Sequence, residues 1–155
     1  YIVKYIKRKY NIIIGERTAE ELKINIGCVY PRIQDVEMDV RGRDLRDGLP
    51  KTITVRSSEM MEALEEPGRL IVDAVHSVLE RTPPELAADI IKDGVYFTGG
   101  TAQINNLEKF IKEETNLNVN IVEHPAESVV RGLMGVVSNP DFAKVAYTPT
   151  EKNFD

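Results

Sequence analysis

Hydrophobic period changes twice along this chain, and that change restricts it to a mixed fold. Val36, Met38 and Val40 alternate with Glu37, Asp39 and Arg41, and Ile53 and Val55 alternate with Thr52 and Thr54. A period of two puts one face of an extended strand in a core and the other in water, the habit of antiparallel strands. The stretch between them, GRDLRDGLPK (42–51), holds Asp47-Gly48 and Pro50, which favour turns. Farther on, Ile71, Ala74, Val75, Val78 and Leu79 recur at the spacing of one helical face. Pro83-Pro84 ends that helix, and a short one follows through Ile90. A buried strand is then expected over 95–98, a Gly99-Gly100 loop, and a helix carrying Leu107, Phe110 and Ile111. A strand over 119–122 and a helix carrying Val129, Val130, Leu133 and Val137 complete the pattern. Strand and helix in alternation predict a layered α/β sheet. The organisation expected is a helix over 1–13, a small α+β lobe over 14–66, an α/β lobe over 67–137 and an extended tail over 138–155.

Local signals refine this. Residues 1–11 carry Lys4, Lys7, Arg8 and Lys9 without an acid, interleaved with Ile2, Ile6 and Tyr10. Such a helix lies on a membrane surface or ends a longer helix with a solvated face; the narrow apolar side favours the second reading. Helical pattern is already running at Tyr1, as in a segment that continues a longer chain. Thr18-Ala19-Glu20-Glu21 spells a capping box, which predicts a helix over 19–26 ended by a left-handed Gly27. Ser58 is expected to start an acidic helix with Glu59, Glu62, Glu65 and Glu66, stopping near Pro67.

Composition narrows the function. The 155 residues carry a net charge of -5, which argues against a general nucleic-acid binder. Cys28 has no partner for an internal disulfide and fits a reducing compartment. No apolar run reaches the roughly 18 residues of a membrane span. His76 and His124 stand on separate elements, without the spacing of a metal site, and Ser57, Ser58 and Ser128 read as helix starts.

Two features have chemistry in reach. In VYFTGGTAQINNL (95–107) a strand runs into two glycines and then a helix, and α/β sheets bind ligands beyond the carboxyl ends of their strands. The same pattern also serves as a plain tight turn. Glu20 and Lys23 share a helical face and are able to hold two neighbouring hydroxyls, or simply each other. The residues alone leave both pairs of readings open.

Longer words decide further. KYNIIIGERTAEELKINIGCVYP (9–31), VRGRDLRDGLPKTITV (40–55), EALEEP (62–67), IVDAVHSVLERTPPELAADII (71–91) and GVYFTGG (94–100) resemble, in order and spacing, the second half of the MreB family of bacterial actin homologues. The resemblance implies an actin-like ATPase fold with a ribonuclease H-like core lobe, in which two domains close on a nucleotide. On that footing 14–66 is the small outer lobe and 67–137 the nucleotide-binding lobe. Gly99, Gly100, Thr101 and Ala102 match the adenosine-contacting loop, and Glu20 and Lys23 the ribose-contacting helix, with Glu21 and Glu16 nearby. Thr101 stands where the family commonly has a third glycine, so strain is expected if that position takes positive φ.

The implied cofactor is ATP or ADP with magnesium, whose organising acids belong to the first half. This chain alone is therefore expected to be inactive as an ATPase. The implied partners are other copies of itself, in a filament that determines cell shape, and cell-shape membrane proteins. No nucleic acid and no direct membrane contact from this segment are implied, and the location is cytoplasmic, at the inner face of the membrane. Arg41, Arg43, Asp44 and Arg46, with Asp47, are expected as exposed charges of a polymer contact. The alternative is a stand-alone actin-fold assembly module without productive nucleotide chemistry.

Overall fold

In the computed structural model, which describes residues 1–145, the basic N-terminal segment is helix α1 (Ile2–Tyr10). Its apolar side is internal: Ile2, Tyr5 and Ile6 are buried. That packing sets aside the membrane-surface reading. Asn11 takes left-handed backbone (φ 57°) and turns the chain into β1 (Ile12–Ile13).

Helix α2 (Glu16–Ile26) begins three residues earlier than the capping box predicted, with Gly15 as its N-cap. Thr18 then lies inside the first turn, where its backbone is already helical, and Glu21 accepts from Arg17 at 3.1 Å instead. Gly27 does end the helix, but with φ -58° and ψ 133° rather than left-handed. Space explains the glycine there, since a Cβ would collide with the Lys23 carbonyl.

Strands β2 (Glu37–Asp44) and β3 (Pro50–Arg56) form the expected antiparallel pair, in register from Glu37↔Arg56 to Arg43↔Pro50. β1 adds to the outer edge of β2 through Ile12↔Asp44. Helix α3 follows as one element, Ser57–Glu80, of 24 residues. The expected stop at Pro67 is corrected: the helix runs through it. A helical proline loses one amide bond and costs about 3 kcal/mol. Here that cost is met by packing on either side, with Met60 and Leu64 before the proline and Val72 after it all buried. Gly68 lets the Phe110 ring come close; an added Cβ would sit 3.0 Å from it. The N-terminus of α3 is capped from a distance by Asp35. Its carboxylate accepts from the Ser57 hydroxyl, from the Ser58 amide at 2.9 Å and from the Ser58 hydroxyl at 2.8 Å.

Next come α4 (Pro84–Asp93), β4 (Val95–Phe97), a 3-10 turn (Gly100–Gln103), α5 (Leu107–Thr115) and β5 (Val119–Ile121). A 3-10 turn (Pro125–Glu127), α6 (Ser128–Ser138) and a last 3-10 turn (Pro140–Val145) follow. β4 and β5 pair in parallel, Val95↔Val119 to Phe97↔Ile121, as strand–helix alternation requires. The tail expected as extended is 3-10 over its first part, and 146–155 lie outside the described residues.

Burial is uneven. Ile6, Ile12, Leu22, Ile26, Val55, Met60 and Ile111 form the centre of the core where α1, α2, α3 and α5 meet the three-stranded sheet. The strand expected to be buried, β4, is only half covered, with Tyr96 68% exposed. Parallel strands are buried by helices on both faces, and here α4 and α6 bury no residue of their own.

Candidate functional site

A cavity of about 690 Å³ opens between the first turn of α1, one face of α2, the middle of α3 and the loop after β4. Helical spacing decides which α2 side chains reach it: Glu16, Ala19, Glu20 and Lys23 line it, at i, i+3, i+4 and i+7. Glu20 and Lys23 meet at 2.8 Å, Glu20 exposed and Lys23 half-buried. Glu21, one residue on, points about 100° away and engages Arg17. It is not part of the cavity wall.

The opposite wall takes one residue of the glycine loop, Thr101, together with Ile104 and Leu107. Gly99, Gly100 and Ala102 shape the loop without lining the cavity. Gly99 carries the positive φ (85°), and its amide donates to the Pro125 carbonyl at 2.7 Å. Ala102 is buried and its amide closes back on the Gly99 carbonyl at 3.1 Å. Positive φ falls on Gly99 and not on Thr101, so the strain feared for a threonine is absent. A Cβ on Gly100 would meet no atom within 4 Å, so neither backbone nor packing demands glycine there.

Long-range bonds hold the two walls in place. The Asn106 side-chain amide donates to the Pro31 carbonyl at 3.1 Å, the Tyr30 hydroxyl to Glu113 at 2.6 Å, and the Val29 amide to the Asn105 carbonyl at 3.4 Å. These ties fix the exit of α2 against α5. Sequence reasoning missed Asn106; its signal was an Asn-Asn pair just ahead of a helix, where left-handed backbone (φ 61°) is tolerated. It also missed Pro67 and Gly68, which line the cavity from α3.

The hairpin charges divide. Asp44 is 2% exposed, so its expected role as a surface contact is corrected. Its carboxylate accepts from the Arg46 guanidinium at 2.7 and 3.1 Å, from the Arg46 amide at 2.9 Å and from Lys51 at 3.4 Å. The Arg46 bonds hold that carboxyl well below the usual range. Asp47 accepts the Leu49 amide at 2.9 Å and so belongs to the turn as well. Arg41 and Arg43 stay exposed on the outward face of β2, paired with no carboxylate among the described residues.

Cys28 is buried, which pushes its thiol pKa up, and it contacts the Ser57 carbonyl at 3.2 Å. Among the described residues, no three His, Cys, Asp or Glu side chains gather as a metal site would need.

Comparison with known proteins agrees with this architecture. Residues 1–145 match the family described as MreB/Mbl protein. The cell shape-determining protein Mbl of Bacillus subtilis is 49% identical over 140 residues, covering 90% of this chain and 42% of that protein. MreB of Escherichia coli is 46% identical over 131 residues, covering 84% and 38%. The crystal structure of MreB5 of Spiroplasma citri bound to ADP superposes with a TM-score of 0.85 at 36% identity, covering 88% of this chain and 42% of that one. The MamK double helical filament superposes at 0.73 with 20% identity over 88% of this chain and 42% of that one, a likeness of fold alone. The chain thus spans less than half the length of the curated relatives it matches. With the fold actin-like and the family match running through residues 1–145, the whole described range, the chain belongs to the MreB/Mbl family.

Proposed function

We propose that this chain is the second half of an ATP-binding, filament-forming cytoskeletal protein that determines cell shape, and that it supplies the adenosine side of the nucleotide cleft. The observation that carries the reading is the shared cavity: Glu20 and Lys23 face it from α2 and Thr101 from the loop after β4. Its volume lies within the usual range for small-molecule sites, roughly 300–1,000 Å³. The residues fit the group. Gly68, Ile71 and Ile104 offer apolar wall to a base, and the charged pair at the rim offers an acceptor and a donor to ribose hydroxyls. The likeness to MreB5 bound to ADP and to MreB5 bound to AMPPNP supports a nucleotide as the ligand.

Magnesium and the attacking water are assigned to the other half, since phosphoryl transfer depends on acids positioned around the γ-phosphate. The chain alone is a binding half and not an ATPase. On the outer lobe, Arg41 and Arg43 are the polymer contact, with Arg46 contributing what its bonds to Asp44 leave free. The partners are copies of the same protein and cell-shape membrane proteins, and the location is the cytoplasmic face of the membrane. Titration of the full-length protein with ATP tests the site. Glu20→Ala removes one charge-assisted bond and is expected to weaken binding by about tenfold or more. Affinity equal to that of the unaltered protein would overturn the assignment.

A further inference from the structure

Pro67 costs α3 a hydrogen bond without ending it, and it stands in the wall of the cavity. Leu64, Pro67, Gly68 and Ile71 line that cavity at i, i+3, i+4 and i+7, so one stripe of α3 faces it with the proline in the middle. A proline has no amide to give the carbonyl four residues back, which here belongs to Ala63. Helices bend where such a bond is missing. On the other face of α3 a second cavity, of about 260 Å³, is lined by Glu62, Ala63 and Glu66 with residues of α1. The helix is thus weakest where it has open space on both sides.

The two halves of α3 are held differently. Before the proline, the Asp35 carboxylate caps the first turn, and Glu59 takes Lys9 at 2.9 Å and the Tyr10 hydroxyl at 2.6 Å. Met60 is fully buried there, and the Tyr5 hydroxyl donates to Glu62. After the proline, Gly68 lies against the Phe110 ring and Val72 is buried, but residues 73–80 are exposed or half-buried. The first half belongs with α1 and the three-stranded sheet, whereas the second is held at its near end.

Leu64 and Ile71 face the cavity from opposite sides of the proline, so a change of angle at Pro67 alters the spacing of that wall. A ligand touching both sides favours one angle, and such differential contact is what shifts a conformational equilibrium. We propose that Pro67 is a hinge in α3, through which a nucleotide in the cavity sets the position of residues 73–80, outside the cavity lining. The inference rests on the nucleotide reading of the cavity and adds to it a route by which occupancy reaches the far end of α3.

The test is backbone hydrogen exchange of the full-length protein with and without ATP, beside ATP titrations of the same samples. In the unaltered protein ATP is expected to slow exchange at 64–71 and also, by about fivefold or more, at 73–80. Pro67→Ala restores the missing amide and stiffens the helix, so the response at 73–80 should fall below about twofold while that at 64–71 persists. Alanine suits a helix interior, and this variant should melt no earlier than the unaltered protein. Pro67→Gly restores the amide as well but leaves α3 pliant, and it should keep most of the response at 73–80. Both substitutions remove the proline ring from the cavity wall, so the difference between them reports stiffness and not lost contact with the ligand. Protection confined to 64–71 in the unaltered protein with ATP bound would overturn the hinge and leave the nucleotide reading standing. So would a full response at 73–80 in Pro67→Ala, or its loss in Pro67→Gly to the same extent as in Pro67→Ala. Failure of the unaltered protein to bind ATP would overturn both.

Discussion

Gly99→Val and Gly100→Val add the same atoms to adjacent residues, yet the loop assigns them opposite consequences. Gly99 lies at φ 85° and ψ 162°, a region that is essentially closed to residues with a Cβ. Forcing valine into it costs about 1–3 kcal/mol. The loop has little freedom to relax, because the Gly99 amide is fixed on the Pro125 carbonyl at 2.7 Å. For a domain of this size, about 2 kcal/mol lowers Tm by roughly 4–8 °C. Gly100 has no positive φ and open space around its missing Cβ, so valine there should move Tm by less than about 2 °C. Its effect should fall on the ligand instead. Gly100 does not line the cavity but directly precedes Thr101, which does, so a branched side chain there is expected to weaken ATP binding about tenfold. Thermal melts and ATP titrations of both variants in the full-length protein separate the two effects. If Gly100→Val melts as early as Gly99→Val, the open space is not real. If it melts normally and binds ATP at full strength, the loop does not face the nucleotide.

Two further outcomes follow from the small lobe. Arg43→Glu should impair filament pelleting without changing Tm, whereas Arg46→Glu should lower Tm by releasing the buried Asp44; equal melting of the two would contradict the division of the hairpin charges. Asp35 is held down to about 2 from 3.8, first by the Ser57 hydroxyl and then by Ser58. A carboxyl depressed in the folded state contributes stability that is present above its unfolded pKa and lost as pH falls through the folded one. Urea midpoints should therefore drop between about pH 4 and pH 2 for the unaltered protein and less so for Asp35→Asn, and identical slopes would count against the cap.

Period made most elements legible. β2, β3, α4, α5, β5 and α6 sit where alternation or helical spacing put them, because both signals are local. The failures share a cause. Pro67 reads as a stop because helix breaking is a local rule, while the contact that favours continuation joins Gly68 to Phe110, forty-two positions along the chain. Asp35 caps α3 from twenty-two residues upstream, a distance no capping pattern spans. Thr18 and Glu21 satisfy the capping pattern, yet the helix had already begun at Glu16. For the site, the residues alone offer Glu20 and Lys23 either as an ion pair or as partners for two hydroxyls, and the ion pair is what the structure contains. Their meaning comes from Thr101 on the opposite wall, which only the fold brings near and only the family resemblance anticipated.

Asp44 shows a different kind of limit. Lying among arginines and turn residues, it reads as one more exposed charge. The register says otherwise: Met38, Val40, Gly42 and Asp44 are successive members of one face, and that face is the inner one. Gly42 is confined there by Ile12 and Ile14, and Asp44 opposite Ile12 is buried for the same reason. An acid in that place is tolerable only with its oxygens satisfied, which Arg46 and Lys51 provide by reaching around the turn. The alternation that defines the strand extends to Asp44, four residues and two more inner-face members beyond Val40. By the same rule Arg41 and Arg43 belong to the outer face. They have no such duty in the fold, which is what the proposed polymer contact requires of them.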